Sequence, residues 1–127
     1  MFELGFLYKE KGDFKRARER LQQSIRLNPD SVEAMQQLAL VHAMMGHYED
    51  AISVYKEIIS RHPQESFPYY AIASVFSMKN ETDKALGWLQ KAVDRGFSDW
   101  HRLDTDPNLE NLRNAIDYPK WKKRQMR

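Results

Sequence analysis

Between Met35 and Pro63 the packing-type residues fall at Met35, Leu38, Ala39 and His42, then at Ala51 and Tyr55, with mostly polar residues between the two groups. Steps of three and four residues draw one stripe along each of two helices, and Gly46 and His47 punctuate the gap between them. The stretch therefore predicts a helical hairpin closed by Pro63, which cannot continue a helix. The same pattern recurs at a spacing of 34 residues, in the columns Met1, Met35, Tyr69; Leu4, Leu38, Ile72; Gly5, Ala39, Ala73; and Tyr8, His42, Phe76. It continues in the second helix of each unit as Ala17, Ala51, Ala85 and Leu21, Tyr55, Leu89. The helices expected are 2–11, 14–27, 31–45, 48–61, 66–79 and 82–95.

Each column has a physical reason. Gly5, Ala39 and Ala73 are small because the partner helix of the same hairpin must approach there, and Ala17, Ala51 and Ala85 are small for the reciprocal reason. Gly12, Gly46 and Asn80 stand just past a first helix, where a residue in the left-handed region lets the last carbonyls find donors. Pro29 and Pro63 end the second helices, with Ser31 and Ser66 available to cap the helices that follow.

Small residues in the Ala-x-x-x-large pattern, the turn glycines and the closing prolines resemble the tetratricopeptide repeat over about residues 1 to 96. Met35 stands where that family often has Trp, His42 where it has Tyr, and Phe97 where a third Pro would fall. The resemblance implies an all-α fold, a right-handed α-solenoid of three hairpins (1–30, 31–64 and 65–96) followed by C-terminal capping helices and a basic tail over 97–127. It also implies a concave groove lined by the first helices, here by Phe2, Phe6, Lys9, Gln36, Gln37, Leu40, Met44, Tyr70, Ser74 and Met78. Flexible Met beside aromatic residues suits a peptide or helix presenting apolar side chains. The family's clamp for a C-terminal carboxylate is not expected. Its donor positions are occupied by Phe2, Phe6, Gln37, Phe67 and Ala71, of which only Gln37 could serve.

Past Gly96 the period breaks. Helices are expected at 98–104, from Asp106 with Pro107 in its first position, and from about 118. Phe97, Trp100, Leu103, Leu109, Leu112, Ile116 and Trp121 are expected to cover the last hairpin, in a segment similar to the closing segment of bacterial tetratricopeptide proteins. At the other end the first unit starts at its fourth column, so the edge around Phe2 and Phe6 is expected to meet a preceding repeat, a partner or a second copy.

Charge and chemistry narrow the function without supplying a reaction. Twenty Lys and Arg oppose eighteen Asp and Glu, so the net charge of +2 gives no general pull towards nucleic acid or anionic membrane. Lys120, Lys122, Lys123, Arg124 and Arg127 around Trp121 would suit phosphates and stacked bases, but five cations at a helix end are ordinarily surface charge. No two of His42, His47, His62 and His101 share the i, i+4 spacing of two metal ligands, so no metal is expected. Asp99, Asp104, Asp106 and Glu110 read as caps and surface charge. Without cysteine, a phosphate-binding loop or a nucleophile constellation, neither a cofactor nor catalysis is expected. No apolar run reaches membrane-spanning length, and a cytoplasmic protein is expected. The reading is a protein-protein interaction scaffold or adaptor, with homo-oligomerisation through the N-terminal edge as the alternative.

Overall fold

The first two described helices start where a side chain takes up an orphaned amide. The computed structural model describes residues 12–126, so the expected helix 2–11, with Phe2, Phe6 and Lys9, lies outside the described residues. Asp13 accepts the Arg16 amide at 3.2 Å and opens α1, Phe14–Leu27. Ser31 accepts the Ala34 amide at 3.2 Å and opens α2, Val32–Met44. Then come α3, Tyr48–Arg61, α4, Phe67–Met78, and α5, Thr82–Asp94, each bounded within a residue of the sequence expectation. After them stand α6, Trp100–Thr105, a 3-10 turn at Pro107–Leu109, α7, Glu110–Arg113, and α8, Tyr118–Gln125. Among the described residues there is no strand. Ser66 makes no capping bond, because its own backbone is helical and Pro68 removes one amide from the first turn of α4.

The turn columns carry the left-handed residues the pattern requires. Gly46 has φ 81° and Asn80 φ 61°. Past α2, the His47 amide donates to the His42 carbonyl at 2.8 Å and the Gly46 amide to Ala43 at 3.0 Å. Past α4, Glu81 donates to Phe76 at 2.9 Å and Asn80 to Ser77 at 2.9 Å, the same paired closure. It occurs again after α5, where Phe97 donates to Ala92 and Gly96 to Val93, both at 3.0 Å. Phe97 therefore leaves the last hairpin through a glycine turn where the repeat pattern has proline.

The chain forms two compact units, divided after Pro63. In the first, α1 packs on α2 and α2 on α3. Ala17 and Leu21 meet Ala34, Leu38 and Val41 in one cluster, with Phe14, Ile25, Met45 and Val54 against it. Ala39 and Ala51 have no exposed surface, as the close approach of two backbones demands. The Arg61 guanidinium donates to the Pro29 carbonyl at 2.7 Å and lies 3.7 Å from Asp30, fastening the end of α3 to the turn after α1.

In the second unit α4 packs on α5, and the 3-10 turn and α7 pack on α4. Ala73 and Ala85 are fully buried, and so are Leu103, Leu109 and Leu112 of the capping segment. Ser77 is fully buried as well: its hydroxyl accepts the Leu112 amide at 3.1 Å, and its carbonyl accepts from the Asn111 side chain at 2.9 Å. The Trp121 indole donates to Gln90 at 2.8 Å, docking α8 on α5. Ile116, expected in the cover, is 93% exposed instead, because it stands in the turn between α7 and α8.

Candidate functional site

Helix α2 buries Ala34, Met35, Leu38, Ala39, Val41 and Ala43. Of the rest, Glu33, Gln36, Gln37, Leu40 and Met44 make one strip at helical spacing, with Val32 and His42 outside it. Gln36, Gln37 and Leu40 are half-buried and Met44 is 45% exposed, so the strip widens from a polar floor to an apolar edge. Gln37 is its chemically distinctive member. Its Oε1 is shut off from solvent and has no hydrogen-bond partner among the described residues. Leaving such an acceptor unpaired costs about 1–3 kcal/mol, a deficit that an incoming donor would remove.

Helix α4 is different. It is apolar nearly all round and buried from Pro68 to Ala73 and from Val75 to Ser77. Phe67, Ser74 and Met78 keep partial exposure, and the Ser74 hydroxyl is turned back onto the Ala71 carbonyl at 2.7 Å.

Tyr70, expected in the groove, is 2% exposed and lies under the capping segment. Its ring stacks on Phe97 at 4.7 Å, the Arg102 guanidinium sits 4.7 Å from its centroid, and its hydroxyl donates to Asp106 at 2.6 Å. Burial first, and then that hydrogen bond, push the Tyr70 hydroxyl well above the ordinary phenol range. Tyr70 is thus a keystone of the cap and is closed to a ligand, a correction to the sequence reading. Asp106 is held in turn: Asn108 donates its amide to Oδ1 at 2.9 Å, and Arg113 donates to the Asp106 carbonyl at 2.6 Å.

The charged candidates resolve into structure. Asp99 caps α6 by accepting the Arg102 amide at 3.1 Å, and Asp104 pairs with Lys122 at 2.6 Å. Trp121 is 3% exposed, so the ring proposed for base stacking is spent on packing. Lys120, Lys123 and Arg124 remain exposed along α8.

A family model described as tetratricopeptide repeat matches residues 8–75, more than half of the chain. A chloroplastic protein of Arabidopsis thaliana is 30% identical over 76 residues, 58% of this chain and 23% of that protein, so the match spans about a quarter of its relative. Among solved structures, MamA 41-end from Desulfovibrio magneticus RS-1 superposes with a TM-score of 0.73 at 19% identity, over 98% of this chain and 71% of that one. A second MamA crystal structure gives 0.69 at 21%, over 95% and 69%. These likenesses establish the fold. No described helix is long and apolar enough to cross a membrane.

Proposed function

The chain belongs to the tetratricopeptide repeat family, whose members serve as protein-interaction scaffolds, and from that premise we propose that it holds a partner polypeptide on the open strip of α2. Leu40 and Met44, one turn apart, are the apolar anchors. Gln36 and Gln37 orient the partner's polar groups. The observation that carries the reading is the buried, unpaired Oε1 of Gln37 beside those anchors. Once the half-buried Gln37 side chain turns outward, a backbone or side-chain N–H of the partner satisfies it, which selects a segment that offers a donor next to an apolar side chain. Met44, with three rotatable bonds, adapts to apolar groups of different shape.

By repeat position Phe6, Leu40 and Ser74 form one column and Met44 and Met78 fall in another, so Ser74 and Met78 belong to the proposed binding set of the second unit. Phe2 and Phe6 belong to it on the same ground, whereas Lys9 shares its column with Ala43 and Ser77, which are buried. Tyr70 does not, despite sharing a column with Phe2 and Gln36, because the cap covers it. Self-association through Phe2 and Phe6 rests on residues outside those described.

Selecting random displayed peptides against the full chain tests the reading. Recovered peptides should share apolar residues and, bound to labelled protein, should shift the amide resonances of Gln37, Leu40 and Met44. Perturbations confined to α5 or α8 would overturn it.

A further inference from the structure

Two imidazoles and a carboxylate converge at the turn that joins α2 to α3. One ligand atom from each of His42, His47 and Asp50 lies within 4.8 Å of the others, and the two imidazole centroids are 6.0 Å apart. The backbone brings them there. The closure in which the His47 amide donates to the His42 carbonyl folds five residues of separation into side-by-side placement, and Asp50 follows in the first turn of α3. The sequence shows only a spacing that would splay the two rings on a continuous helix.

Two further features suit the cluster to a cation. The Nδ1 atom of His42 is shut off from solvent and has no hydrogen-bond partner among the described residues, an arrangement that asks for an explanation in a folded protein. The cluster also lies at the carbonyl end of α2, the negative end of the helix dipole. Against it stands Arg18 of α1, the cation that acts on His42 from the neighbouring helix.

We propose that His42, His47 and Asp50 form a binding site for a divalent transition-metal cation of zinc type. Two nitrogens and one carboxylate oxygen are a ligand set for borderline cations, whereas magnesium and calcium prefer all-oxygen shells. Ligand atoms at about 2.0–2.2 Å around a tetrahedral ion stand roughly 3.3–3.5 Å from one another. Rotation of the exposed His47 and Asp50 side chains towards the half-buried His42 closes the remaining distance. The bound ion clips the end of α2 to the start of α3 and leaves a fourth position for water.

Titrating zinc chloride into the full chain by calorimetry, with the histidine ring resonances followed by NMR, tests the site. One equivalent should bind, moving the signals of His42 and His47 and leaving His62 and His101 in place. His47→Ala and Asp50→Asn should each weaken zinc binding by about tenfold or more, while His62→Ala leaves it unchanged. His47 makes no side-chain capping bond, so its replacement leaves α3 intact, and an unaltered metal-free melting curve shows this for both variants. Excess magnesium should not compete. Absence of zinc binding, or binding that survives both His47→Ala and Asp50→Asn, overturns the proposal.

Discussion

The hydroxyl of Tyr70 donates a 2.6 Å hydrogen bond to the carboxylate of Asp106, joining α4 to the start of the 3-10 turn across 36 residues of sequence. Asp106 is itself fixed by the Asn108 amide and, through its carbonyl, by Arg113, so Tyr70 reads the position of the whole capping segment. Tyr70→Phe keeps the ring stacked on Phe97 and removes only the donor. A stability loss of about 1.5–3 kcal/mol is expected, since the acceptor is charged and half-buried. Urea denaturation followed by far-UV circular dichroism measures it, and a loss below about 0.5 kcal/mol would show that water replaces the phenol freely.

Alkaline pH should weaken the second unit. Burial, then the charge of Asp104, push the Tyr118 hydroxyl up to about 12, and Tyr70 is raised further by burial and Asp106. An unfolded tyrosine ionises near pH 10, so above that the unfolded chain has fewer protons than the folded one and stability falls as pH rises. The contribution is fully present below pH 10 and lost through about pH 12 and beyond. Melting curves between pH 9 and 12 should decline less steeply for Tyr118→Phe than for wild type, and parallel declines would refute the assignment.

The turn residues give a pair of opposite expectations. Gly46 has φ 81° with nothing within 4 Å of an added Cβ, so Gly46→Ala meets no neighbouring group but holds a Cβ in the left-handed region, where it crowds its own backbone at a cost of about 1–2 kcal/mol. Asn80 already carries a side chain at φ 61°, so Asn80→Gly should be neutral or stabilising by up to about 1 kcal/mol. Paired thermal melts compare the two, and a neutral Gly46→Ala would contradict the left-handed turn.

Ala51 has no exposed surface, on a helix that packs against α2. Ala51→Leu should cost about 1–3 kcal/mol by forcing the helices apart, while Ser53→Leu on the exposed face of α3 stays within about 0.5 kcal/mol. Chemical denaturation of both variants measures the difference, and equal stabilities would contradict the close approach at Ala51.

Sequence made the hairpins legible because their determinants are local and repeated. Ala17, Ala39, Ala51, Ala73 and Ala85 are all fully buried, and Gly46 and Asn80 both take the left-handed conformation that their column required. The candidate site was less legible for two reasons. Tyr70 belongs to the same column as Gln36, yet what covers it comes from beyond Gly96, where the period has stopped and no pattern says which helix face the chain returns to. His42 and His47 were passed over because a helical spacing rule does not see across a turn. Ile116 shows the converse error, an apolar residue assigned to the cover by type alone and found in a turn.

The binding proposal stands on Met44, Leu40 and the unpaired Gln37 acceptor. Isothermal titration of one selected peptide into wild type and Met44→Ala tests it most directly. The expected result is affinity weakened by more than about 1 kcal/mol with the helical spectrum unchanged. Equal affinity for both proteins would contradict it.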